Sequence, residues 1–199
     1  MTGIRQIQIP EKDYPLRADV SLLGSLVGEV LVDQHGQELL DRVEAVRKAA
    51  ILQRESPAEN EGLEVALAAM DPGQTMLVIQ AFASYLRAVN LAEKVHRIRR
   101  RRAYQRQGAA AQRGSFEAIL GELRAEGADA AALAEAINAL RIQPVFTAHP
   151  TEATRRTIQE KEYDIVLRLV ERLNPELTPG EERLALQRIR AAITSSWQT

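Results

Sequence analysis

Residues 71–102 read DPGQTMLVIQAFASYLRAVNLAEKVHRIRRRR, and this stretch decides the fold class. Asp71 can cap a helix, Pro72 suits the first helical position, and Gln74 can reach back to the cap. Met76, Ile79, Phe82, Leu86, Val89 and Val95 then follow at helical spacing. The run closes on Arg97 and Arg99 to Arg102, cations that oppose the negative end of a helix macrodipole. The pattern predicts one long helix with an apolar face.

The same logic extends in both directions. Upstream, Asp19 reads as an N-cap for a helix whose apolar face is Val20, Leu23, Leu26, Val27, Val30 and Leu31. Gly36, after His35, is its natural stop. A second helix carries Leu39, Leu40, Val43, Val46 and Ile51 and ends before Pro57, and a short one lies between Glu61 and Met70. Downstream, two shorter helices near 116–124 and 129–141 flank Gly127. After Pro150, Ile158, Ile165, Val166, Leu169 and Leu173 define another helix, broken at Asn174-Pro175. Thr178-Pro179-Gly180-Glu181 is a second capping box, opening a helix with Leu186, Ile189, Ile193 and Trp197. No closing glycine follows before Thr199, which reads as an interrupted helix.

Three segments stand outside this scheme. Residues 1–15 carry two prolines and read as an extended or disordered arm. Residues 105–114, rich in Gln, Gly, Ala and Arg, read as a flexible linker. Residues 142–147 are partly β-branched and bounded by Pro150, and they read as one short strand. The expected class is therefore mainly α, with residues 16–199 forming a single helical region.

Composition removes some functions. The net charge of -1 gives no overall pull toward nucleic acid or a membrane surface. With no cysteine, disulfides and thiolate metal sites are excluded. Neither a secretory signal nor an apolar run of about 20 residues is evident, so the expectation is a soluble cytoplasmic protein. There is no glycine-rich phosphate loop, no His-Glu-x-x-His and no Gly-x-Ser-x-Gly.

Three histidines remain. His35 reads as a surface residue at a helix end, and His96 as part of a charged helix face. The arginines from 97 to 102 read as a solvated helix end, because the chain is not basic and only Tyr104 supplies a nearby aromatic ring. His149 has a different setting. It lies between the expected strand and a helix, where free backbone N–H groups attract anions and favour a neutral imidazole able to act as a base. Arg155 and Arg156 add positive charge within two turns. The same position also suits a histidine that only caps the helix or satisfies a buried carbonyl.

The stretch from Val145 to Arg156 resembles the N-terminal active-site signature of phosphoenolpyruvate carboxylases. Val145, Thr147-Ala148-His149-Pro150-Thr151, Glu152, Arg155 and Arg156 match every fixed position. Leu16 to Gly24, with Leu26 and Gly28-Glu29-Val30, resembles that family's opening helix. Phe82, Tyr85, Leu86, Asn90, Ala92-Glu93 and His96 resemble its long helix, and Ser196 to Thr199 the point where its chain continues.

The resemblance implies a helix-rich β/α-barrel enzyme, with residues 142–147 as one barrel strand. It implies an activity joining phosphoenolpyruvate to bicarbonate, with Mg²⁺ or Mn²⁺ as cofactor and a homo-tetrameric assembly. His149 would be catalytic and Arg155 and Arg156 candidates for substrate binding. The metal ligands and the main substrate clamps of the family lie beyond Thr199, so this chain alone is expected to be inactive. A non-catalytic helical interaction module and a nucleic-acid binder using the arginine run are the competing readings.

Overall fold

A computed structural model describes residues 10–55, 62–108, 111, 113–146 and 154–199. A 3-10 turn, Glu11–Asp13, leads into α1 (Tyr14–His35). There follow α2 (Gln37–Glu55), α3 (Gly62–Ala68), α4 (Pro72–Arg106), α5 (Phe116–Ala125), α6 (Ala130–Ala139), α7 (Arg156–Glu171) and α8 (Pro179–Trp197). The class is mainly α, as the periodicity predicts.

The strongest start signals are realised atom by atom. Asp71 Oδ1 accepts from the Gln74 N–H at 2.9 Å, and Gln74 Oε1 accepts from the Asp71 N–H at 3.2 Å. Thr178 and Glu181 form the reciprocal box at the start of α8. There the Thr178 hydroxyl and N–H hold the Glu181 carboxyl below its ordinary range. Gly36 ends α1 with φ +84, a backbone state that a side chain disfavours, while its N–H bonds Val32 O at 2.8 Å.

The Asp19 start signal is corrected. The helix begins at Tyr14 with Pro15 in its first turn, where a fixed φ and a missing N–H cost nothing. Asp19 is instead buried inside α1. The expected strand is also corrected. Residues 141–146 belong to no regular element, and Ile142, Val145 and Phe146 are 86%, 82% and 91% exposed. A strand exists only against a ladder partner, and none is present among the described residues. Thr147 lies outside those residues.

The chain divides into two compact units, residues 1–99 with 154–199 and residues 100–153. The first holds the core. Leu23 and Val30 of α1, Ala92 and Val95 of α4, Leu169 of α7 and Ile189 of α8 are essentially closed to solvent. Each large apolar side chain so buried contributes about 1.5–3 kcal/mol. Against the expectation of no bilayer-length apolar run, α4 is long and apolar enough to cross a membrane by length and composition alone. Val78, Ala81, Ala88 and Leu91 on that helix are buried in the core.

In the second unit, α5 and α6 are capped by Ser115 and Asp129, which accept from the N–H groups of Ala118 at 3.2 Å and Ala132 at 2.8 Å. No described residue from 100 to 146 is buried.

Candidate functional site

The signature histidine, His149, lies outside the described residues, as does the whole run 147–153. The two arginines that follow are described, and each is engaged locally. Arg155 is the residue before α7, and its guanidinium donates to the backbone oxygen of Thr199. Arg156 Nε donates to Glu160 Oε1 at 2.9 Å, one turn along α7, with its side chain 90% exposed. An ion pair this exposed contributes little to stability, so it leaves the guanidinium available to a stronger anion.

The polar cluster that the structure does assemble was not legible as a site. Asp19 lies on the apolar face of α1, in register with Leu23, Leu26 and Val30. It accepts from Arg99 Nη2 of α4 at 2.6 Å, and Arg172 Nη1, at the end of α7, lies 3.9 Å from its other oxygen. Arg172 Nη2 donates to Glu182 Oε1 of α8 at 3.0 Å. Arg99 Nη1 also donates to His96 Nδ1 at 3.2 Å. A guanidinium has only donors, so His96 Nδ1 must carry a lone pair and its Nε2–H donates to Asp13 Oδ1, 3.3 Å away. His96 is thus a buried cross-link rather than part of a solvated charged face. One signal in the sequence pointed there: an aspartate at core spacing, which is costly unless a cation meets it.

His35 also finds a distant partner, because Trp197 Nε1–H donates to its Nε2 at 3.1 Å. In the arginine run, Arg97 meets Glu93 at 3.7 Å and Arg100 lies over the Tyr104 ring.

A concavity of about 790 Å³ runs between α1, α2 and α4. Gly24 lets Tyr85 approach, since a Cβ there would stand 3.2 Å from the ring. Arg47 forks onto Glu44 at 2.7–3.1 Å and holds that carboxyl below its usual range, while Arg190 pairs with Glu29 at 3.4 Å and with Asp33. Its rim charges are therefore already engaged, with Glu29 and Asp33 sharing the one Arg190. Among the described residues no three His, Asp or Glu side chains are grouped to hold a metal ion. The described donors do not fit Mg²⁺ or Mn²⁺, which demand several oxygen ligands at once.

Comparison with known proteins places this architecture. The chain is 44% identical over 188 residues to a phosphoenolpyruvate carboxylase of Xanthomonas oryzae pv. oryzae, covering 94% of this chain and 21% of that protein. It is 38% identical over 192 residues to the carboxylase of Nitrosomonas europaea, covering 95% and 20%. Against that of Azoarcus sp. the figures are 38% over 193 residues, 96% and 21%. The chain thus spans about a fifth of the length of the curated relatives it matches. The family model for phosphoenolpyruvate carboxylase matches residues 16–199, taking in both units and the signature around His149, and the chain belongs to that family.

Proposed function

We propose that this chain is the N-terminal part of a phosphoenolpyruvate carboxylase, with residues 16–199 forming its first helical region. The whole enzyme converts phosphoenolpyruvate and bicarbonate to oxaloacetate and phosphate. The observation that carries the reading is the family match over residues 16–199, joined to the complete signature from Val145 to Arg156.

The chemistry divides into two steps. A bicarbonate oxygen attacks the phosphoryl group, the bond from phosphorus to the enol oxygen breaks, and carboxyphosphate and the pyruvate enolate result. Carboxyphosphate then loses phosphate to give CO₂, which the enolate carbon attacks to form oxaloacetate. His149, as a neutral imidazole, takes the carboxyphosphate proton and so assists the second step. Arg155 and Arg156 hold positive charge beside the anionic reactants, Arg156 by exchanging its exposed contact with Glu160 for one to substrate. The divalent metal, Mg²⁺ or Mn²⁺, supplies charge neutralisation from ligands outside this chain. The whole protein is a cytoplasmic homo-tetramer in this reading.

Two assays test it. The 199-residue chain should form no oxaloacetate from phosphoenolpyruvate and bicarbonate, and turnover would overthrow the division of the site between this chain and the rest. In the full-length enzyme, His149→Asn should leave phosphoenolpyruvate binding largely intact while oxaloacetate output collapses. Unchanged carboxylation would remove His149 from the chemistry.

A further inference from the structure

Trp197 is the only tryptophan in the chain, and it is 6% exposed at the C-terminal end of α8. Its indole N–H meets an exposed histidine at the C-terminal end of α1. The rings stand edge to face, with centroids 5.5 Å apart and planes at 72°. An indole nitrogen can only donate, so the 3.1 Å contact requires a lone pair on His35 Nε2. His35 is therefore bound in its neutral form, with its proton on Nδ1. Adding a second proton places two donors nose to nose and leaves the indole N–H without a partner.

We infer that His35 is a proton-operated latch on the end of α8, closed on Trp197 when the imidazole is neutral and open when it is charged. The latch is local. The Trp197 backbone oxygen accepts from Gln80 Nε2 of α4 at 2.7 Å, and Gln198 Nε2 donates to Gln34 Oε1 at 2.8 Å. Neither bond involves a group that titrates near neutrality, so both persist while the indole contact opens.

The acids nearest His35 in sequence are already engaged. On α1 the neighbouring acids are Glu29 and Asp33, both already paired with Arg190 of α8. On α2 they are Glu38, paired with Arg42 at 2.7 Å, and Asp41, accepting from Gln37 at 2.8 Å. From the start of α7, Arg155 reaches Thr199. Among the described residues His35 forms no ion pair. Histidine is the side chain whose unperturbed charge change falls between about pH 5 and 8, and that range is where the contact is tested. The latch is independent of the carboxylase chemistry and stands or falls without it.

Because there is one indole, one N–H resonance in a ¹H–¹⁵N spectrum of the 199-residue chain reports the latch directly. Between pH 8 and pH 5 that resonance should move from the closed to the open position. His35→Gln keeps an acceptor that does not titrate, and its indole resonance should stay flat. His35→Phe removes the acceptor, and its resonance should sit at the open position at every pH. His96→Gln, which alters the other described histidine, should leave the transition in place. A flat wild-type resonance overturns the inference. So does a His35→Gln chain that titrates as the wild type does, a His35→Phe chain at the closed position, or loss of helical circular dichroism over the same pH range.

Discussion

Helices α1 and α5 are built on the same pattern and meet opposite fates. Leu23, Leu26, Val27 and Val30 recur along α1 and are all buried; Phe116, Ile119, Leu120 and Leu123 recur along α5 and none is. The contrast extends to the units that hold them, one with a packed core and one with no buried residue from 100 to 146 among those described. Helical spacing records that something covers a face and says nothing about what covers it. The family match runs through both units without distinction, so their difference is one of partners and not of ancestry.

Mutation can break this contrast. Leu169→Ala, at a side chain 2% exposed, should cost about 4 kcal/mol in urea unfolding, whereas Phe146→Ala should change it by less than about 0.5 kcal/mol. Equal costs would mean that residues 141–146 are covered in solution. Next in size, Asp19→Ala leaves Arg99 and Arg172 short of a buried acceptor and should cost about 3 kcal/mol by the same measurement. Combined with Arg99→Ala it should cost less than the two single changes added, and simple additivity would dissolve the cluster as a unit.

Ser115→Ala should cost about 1 kcal/mol of α5 stability, read as faster amide exchange over residues 116–125 with no change in α1. A change in α1 would join what the packing separates.

The smallest effect concerns acid. Arg47 holds the folded Glu44 carboxyl below its ordinary range, so the pair's contribution is fully present above that range. It is lost as pH falls through the lowered folded value. With the two side chains 42% and 41% exposed, solvent reduces it to about 0.3 kcal/mol. Glu44→Gln should flatten that much of the acid slope in thermal unfolding, and an unchanged slope would show that the pair does not persist in water.

What could be read from the chain follows from range. The start signals at Asp71 and Thr178 act within three residues, and both are realised; Ser115 and Asp129 cap α5 and α6 over the same short range. Core faces need only the 3.6-residue period, so Leu23, Val95 and Ile189 were legible from their spacing alone. Asp19 was misread because its partners, Arg99 and Arg172, lie on other helices and only packing brings them to it. His35 and His96 bond residues 162 and 83 positions away, beyond any local rule. The expected strand at 142–147 failed for the same reason, since strand character needs a neighbour that residues 142–146 do not have among the described residues. The signature around His149 was legible as a family resemblance, while its local physics left a cap and a base equally open.

The first unit is assembled from two separate stretches of chain, with residues 100–153 set between them. A ribosome adds about 5–20 residues per second, so α1 is complete on the order of ten seconds before Trp197 exists to meet His35. Late in that interval, once Arg106 has been added, Leu23, Leu26, Val27 and Val30 can have α2 and α4 beside them but neither α7 nor α8. The nascent chain therefore carries an open apolar surface until α8 has been made, and it is during translation, not afterwards, that a chaperone or a mispairing would find it.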